Sequence, residues 1–177
     1  MTSLSDFTKD EADLLISLPY KAGMWVSHSE DHDGEKDDTH ENKALTACLR
    51  QFAKMGDGKP LFAQVIKETL RREDKWAEWA DQSFTLVQDI QKAVSILRGK
   101  ASVDEIKFFK RSLMEIGTAV AQASDEFSDD GAAEGIFGKI LSKFSGLADH
   151  DAGHPMNVSA SEDSALEKLR AALKGKA

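Results

Sequence analysis

An acidic segment from Ser29 to Glu41 (SEDHDGEKDDTHE) carries the residue types in this chain that are best suited to holding a cation. Seven carboxylates share these thirteen positions with a single lysine, and histidines 28, 32 and 40 lie beside or among them. Two unit charges about 6 Å apart repel by roughly 1 kcal/mol even in a water-like dielectric. The segment therefore either lies open to solvent or is neutralised by a cation or a basic protein partner.

The spacing in the segment partly matches a calcium-binding EF-hand loop. With Gly34 at the sixth position, the ligand positions fall on Ser29, Asp31, Asp33, Glu35 and Asp37. His40 then stands at the twelfth position, where a bidentate glutamate closes the coordination shell, and Glu41 lies one residue later. Imidazole is a poor ligand for a hard cation, so the pattern argues against a true EF-hand.

A less demanding cation site fits the segment better. Asp33 and Asp37 could converge on one ion with Glu41, which opens the next predicted helix, while Gly34 permits a tight turn. The predicted ligands are Asp31, Asp33, Asp37 and Glu41, with Glu35 and His40 as second choices. Carboxylates suit calcium or magnesium, and the histidines favour zinc, although the close ligand spacing of structural zinc sites is absent. Helix capping explains part of the pattern without any metal.

The bulk composition predicts one soluble domain. The chain has 177 residues with 41% hydrophobic and 31% charged residues, enough to bury a sizeable core. A net charge of −8 without a basic stripe disfavours binding to phosphate backbones, so we expect no nucleic-acid partner. The single cysteine, Cys48, lies on an apolar helical stripe and predicts a buried thiol in a reducing compartment. Because the N-terminus is acidic and no apolar run reaches about 20 residues, we expect a cytoplasmic protein without a membrane span.

Helix signals recur along the chain. Capping-box spacing at Thr8/Glu11 and at Ser102/Glu105 predicts two helix starts, and Pro60 suits a first helical position. Pro19 predicts either a kink or the start of a second helix through Ser27. The apolar period from Trp76 through Phe84 to Leu97 predicts one helix of about 22 residues that ends at Gly99. A last helix is expected from near Ser159 or Ser161 to Gly175.

These signals together predict an all-α, single-domain bundle over residues 1–177, with seven to eight helices. The acidic loop at 29–38 and a flexible connection at 147–160 are its main irregular segments. Gly23 and Gly117 predict close contacts between helices. No phosphate loop, dinucleotide fingerprint or serine elbow occurs, which favours a non-catalytic protein.

The run LPYKAGMWVSHSEDHDGE, from Leu18 to Glu35, is followed by an acid-capped helix with Glu41 and Leu45. This order of features resembles the tellurite-resistance TerB-like family of bacterial proteins. Asp33 and Gly34 match its Asp-Gly turn, whereas His40 occupies the position expected for its glutamate. The resemblance implies an all-helical bundle with an acidic cluster for a divalent cation, in a stress response and without established catalysis. The alternative function is an interaction module whose acidic loop meets a basic partner surface without metal.

Overall fold

The computed structural model describes residues 1–30, 38–54, 60–126 and 160–175, and every regular element in them is helical. The predicted all-α bundle is therefore confirmed. Four short 3-10 helices lie at Leu4–Asp6, His28–Glu30, Glu73–Lys75 and Ser83–Thr85. Seven α-helices are described, namely α1 (Lys9–Ser27), α2 (Asp38–Lys54), α3 (Pro60–Arg71), α4 (Trp76–Asp81), α5 (Leu86–Lys100), α6 (Val103–Glu126) and α7 (Ala160–Lys174).

Helix α1 is the centre of the bundle and packs against each of the six other described α-helices. Every residue from Leu15 to Met24 is buried, including the polar residues Ser17 and Lys21. A helix that is buried on all sides must be surrounded by the apolar faces of its neighbours. Those faces include Leu45, Val65, Ile90, Ile116 and Leu169, which are all at most 1% exposed.

The start of α1 agrees with the capping-box prediction, and Pro19 does not divide the helix. The Thr8 N–H donates to the Glu11 carboxylate over 2.8 Å, and the Glu11 N–H donates to the Thr8 hydroxyl over 3.3 Å. Pro19 lies inside α1, so the expectation of a separate helix beginning there is wrong. A proline removes one backbone hydrogen bond, but packing on every side of α1 stabilises the rest of the helix.

The single helix predicted from Trp76 to Leu97 is wrong, because α4 ends at Asp81 and α5 begins at Leu86. The Thr85 hydroxyl oxygen lies 2.9 Å from the Gln82 carbonyl oxygen, within hydrogen-bonding distance, at the 3-10 helix that separates them. Such side-chain bonds to nearby carbonyls compete with the regular helical pattern. The predicted end at Gly99 is also wrong by one residue, since α5 continues to Lys100.

Two glycines permit the close helix contacts that the sequence predicts. A Cβ atom on Gly23 of α1 would overlap Leu45 of α2, and its distance to Leu45 Cδ2 would be 2.8 Å. A Cβ on Gly117 of α6 would lie 2.9 Å from Leu169 Cδ2 of α7. Gly175 follows α7 with a φ of +73°, the left-handed conformation that favours glycine after a helix.

None of the helices in the described ranges combines the length and apolar character needed to cross a bilayer.

Candidate functional site

The predicted cation ligands fall mostly outside the described residues. Asp31, Asp33, Glu35 and Asp37 lie in the stretch between Glu30 and Asp38, which the structure does not describe. His40 and Glu41 lie in the first turn of α2, where only the backbone is described. The predicted connection at 147–160 also lies outside the described part, except for Ala160. Among the described residues, no three His, Cys, Asp or Glu side chains gather as a metal-binding group.

The helices on either side of the acidic segment are held against each other. Gly23 of α1 lies seven residues before Glu30, and Leu45 of α2 lies seven residues after Asp38. At 1.5 Å per helical residue, each end of the undescribed stretch is about 10 Å along the chain from the contact between these two residues. The two ends are thus anchored on one pair of packed core helices.

A groove of about 550 Å³ opens beside the start of the acidic segment. In the described part of the chain, three parts of the fold form its walls: the end of α1 with the following 3-10 helix, the junction between α4 and α5, and the first half of α7. Apolar surface comes from Trp25, Ala80, Phe84 and Ala165, and charged groups come from Asp81 and Lys168. His28 and Ser29 also line the groove, so the acidic segment begins at its edge.

Trp25 joins two walls of the groove. Its indole N–H donates to the backbone carbonyl of Ala165 in α7 over 3.2 Å. The hydrogen bond fixes the orientation of the ring, while the half-buried side chain still presents apolar surface to the groove. A tryptophan held in this way can contact a ligand without losing further side-chain freedom.

The 3-10 helix Ser83–Thr85, which we term the clamped turn, is held by polar contacts at both ends. His28 Nδ1 lies 3.1 Å from the Ser83 hydroxyl, within hydrogen-bonding distance. The Thr85 hydroxyl donates to the Asp89 carboxylate over 2.7 Å. Phe84 lies between these two contacts and is 71% exposed, which corrects its predicted place on a buried apolar stripe.

A buried ion pair secures the second end of the clamped turn. Lys21 Nζ of α1 lies 2.9 Å from the Asp89 carboxylate of α5, and these side chains are 6% and 12% exposed. Asp89 thus accepts hydrogen bonds from both Lys21 and Thr85. Since a buried charge without a partner is strongly unfavourable, this pair fixes how α5 and the turn dock on α1.

The His28–Ser83 pair does not have the arrangement of an activated nucleophile. Ser83 is only 5% exposed, so its hydroxyl is poorly accessible from the groove. Among the described residues, no carboxylate accepts a hydrogen bond from the second ring nitrogen of His28, as the orienting group of a catalytic triad does. The pair is therefore best explained as a structural contact between α1 and the clamped turn.

In the described ranges, the groups with shifted pKa values lie outside the groove lining. Burial raises the pKa of Tyr20 to about 12 and also raises the pKa of the Cys48 thiol. Cys48 is 0% exposed, which confirms the predicted buried thiol. Hydrogen bonds from Ser102 and Thr2 lower the pKa of Glu105 to about 2. Each shift has a structural cause in core packing or helix capping, and none marks a catalytic centre at the groove.

Sequence reasoning missed the parts that build the groove. Lys21 and Asp89 were not predicted to pair, because their contact joins residues 68 positions apart. One local signal was present: Thr85 and Asp89 have the spacing of neighbours on one helical face, and the polar residues Gln82 and Ser83 interrupt the apolar pattern. That signal indicates a helix break, but it does not reveal which surface the break exposes.

Comparison with models of protein families, with curated proteins and with solved structures gave no match to this chain. The resemblance to the TerB-like family therefore stays a prediction from the residues of the acidic segment. Any proposal about function depends on the chemistry of that segment and on the groove beside it.

Proposed function

We propose that this is a non-catalytic binding protein of TerB-like type whose acidic segment, residues 29–41, binds a divalent cation in a stress response. The observation that carries the proposal is the charge of the segment, with seven carboxylates against one lysine. Asp31, Asp33, Asp37 and Glu41 are the proposed ligands, with Glu35 and His40 as second choices. Their oxygens suit calcium or magnesium, and His40 would add a ligand for zinc.

The helices at the two ends of the segment support the proposal electrostatically. Helix α1 ends before the segment, and the partial negative charge at a helix C-terminus favours a nearby cation. Helix α2 begins at Asp38, and the partial positive charge of its N-terminus stabilises carboxylates in the first turn. A bound divalent ion would relieve the repulsion that remains among the other carboxylates.

Calorimetric titration of chelator-treated protein with calcium, magnesium and zinc tests the proposal. We expect saturable heat with at least one ion, its loss in Asp33→Asn/Asp37→Asn, and weaker affinity below about pH 5 as the carboxylates protonate. Asp74→Asn/Asp104→Asn is the matched control, because it removes the same charge from two exposed carboxylates outside the segment. Absence of saturable heat with all three ions, or equal heat in both double variants, would refute the cation site.

A second candidate function is an interaction module whose acidic segment binds a basic partner surface without metal. The groove favours this candidate, because His28 and Ser29 lie in its wall directly before the cluster of carboxylates. Such a module should show no saturable heat with metal ions. Its thermal midpoint should also be insensitive to those ions, both in the wild type and in Asp33→Asn/Asp37→Asn.

A further inference from the structure

We infer that the groove beside the clamped turn binds an apolar side chain from a basic amphipathic helix of a partner protein. The inference depends on the second candidate function, since the acidic segment supplies the opposite charge. It adds a defined apolar contact surface centred on Phe84 and Trp25. Recognition by charge alone would not require that surface.

The contacts of the clamped turn keep the Phe84 side chain exposed to solvent. Of the described residues, only Met1, Phe84 and Val103 are large hydrophobic side chains that are exposed, and Phe84 lines the groove. Turning Phe84 inward would move Ser83 and Thr85 away from His28 and Asp89. Because those contacts fix the turn, a partner that binds Phe84 does not have to order its backbone as well.

The groove has the size and surface of a site for an apolar anchor. Its volume of about 550 Å³ lies within the range of about 300–1,000 Å³ typical of binding pockets. Trp25 and Phe84 provide aromatic surface, while Ala80 and Ala165 leave space between them. Interfaces draw most of their affinity from a few such aromatic groups that become fully desolvated in a well-packed pocket.

The charge around the groove determines which partner fits. Asp81 and Lys168 in the walls offset each other, whereas the segment that begins at Ser29 is strongly negative. An amphipathic helix with lysine or arginine beside its apolar face complements the apolar groove and the negative charge of the sequence that follows Ser29. A second copy of this chain is a poor occupant, because two molecules that each carry a net charge of −8 repel each other.

A peptide titration tests the inference on the full-length protein. The probe is a fluorescein-labelled helical peptide of about four turns, with leucines along one face and lysines elsewhere. A matched peptide has serine in place of each leucine and the same charge. Fluorescence anisotropy is measured for the wild type, for Phe84→Ser, and for Val103→Ser, which removes another exposed apolar side chain of similar exposure at 66%.

We expect Phe84→Ser to weaken binding of the leucine peptide by about tenfold or more, as for an anchor residue at an interface. Val103→Ser should change that affinity by less than about twofold, and the serine peptide should bind the wild type at least about tenfold more weakly. Phe84→Leu should retain most of the affinity, because it keeps an apolar side chain. Asp33→Asn/Asp37→Asn should reduce the salt dependence of binding while the effect of Phe84→Ser remains.

Several results would overturn the inference. These are equal binding by Phe84→Ser and Val103→Ser, equal binding of the two peptides, or no saturation up to about 1 mM peptide. If Phe84→Ser lowers Tm by more than about 4 °C, another part of this chain already packs against the Phe84 ring. A dimer in sedimentation that Phe84→Ser dissociates would assign the surface to a second copy. If no metal ion binds but the peptide binds in a way that depends on Phe84, only the cation site is refuted. If a metal ion binds but the peptide does not, only this inference is refuted.

Discussion

The Lys21–Asp89 pair offers a direct test of how the groove is built. At a separation of 2.9 Å, the two charges attract each other by about 6 kcal/mol at an effective dielectric of about 20. Desolvation costs several kcal/mol for each ion, so the pair is close to neutral compared with two apolar side chains. Removing one partner leaves the other charge nearly buried, with an expected loss of about 2–4 kcal/mol in the free energy of unfolding.

Asp89→Leu and Lys21→Met are therefore each expected to destabilise the protein by that amount. In the double variant the unpaired charge is gone, and the free energy of unfolding should return to within about 1–2 kcal/mol of the wild type. Urea unfolding followed by far-UV circular dichroism measures all four proteins. Lys75→Ala is the matched control: its ion pair with Glu78 is about half exposed on both sides, so we expect a change below about 1 kcal/mol.

The four free energies of unfolding show whether the Lys21–Asp89 pair anchors the clamped turn. A coupling energy below about 0.5 kcal/mol would mean that the two charges do not depend on each other in the folded protein. The same conclusion would follow if Asp89→Leu cost no more than Lys75→Ala. Either result would refute the buried ion pair as the anchor of the clamped turn, and this pair would then not keep Phe84 fixed and exposed.

Two further predictions test helix packing and capping. Gly23→Ala should cost about 1–3 kcal/mol because the new methyl overlaps Leu45, whereas Gly99→Ala, with no atom within 4 Å, should gain about 0.5–1 kcal/mol in urea unfolding. Glu105→Gln should cost about 1 kcal/mol at pH 7. Because the pKa of Glu105 is lowered from 4.5 to about 2, this difference should be present above pH 4.5 and disappear as the pH falls towards 2. Equal changes in the free energy of unfolding for Gly23→Ala and Gly99→Ala would contradict the packing assignment. A change for Glu105→Gln that does not depend on pH would contradict the capping assignment.

Local rules in the sequence accounted for the starts of three helices. The start of α1 follows from Thr8 and Glu11, and the start of α3 follows from Pro60. The capping box at Ser102 and Glu105 likewise precedes α6, which begins at Val103. These signals involve backbone groups within one helical turn, so they operate whatever the tertiary fold.

The break between α4 and α5 shows where such local reasoning fails. The predicted apolar period from Trp76 to Leu97 holds in part: Trp79, Ile90, Val94 and Leu97 are buried, whereas Phe84 is exposed and Val87 is half-buried. A helical period survives a short 3-10 turn, so periodicity alone could not separate one helix from two. The break is stabilised by the Asp89 carboxylate and by Lys21, a residue on another helix.

The sequence by itself determined the all-α class, the main helix starts, the close contacts at Gly23 and Gly117, and the concentration of negative charge between α1 and α2. These properties depend on side-chain periodicity, local capping and composition, which are all readable along the chain. Only the tertiary structure revealed the groove, the clamped turn and the exposure of Phe84. Those features arise where α1, the α4–α5 junction and α7 meet, and contacts between residues far apart in sequence decide which side chains such a junction buries.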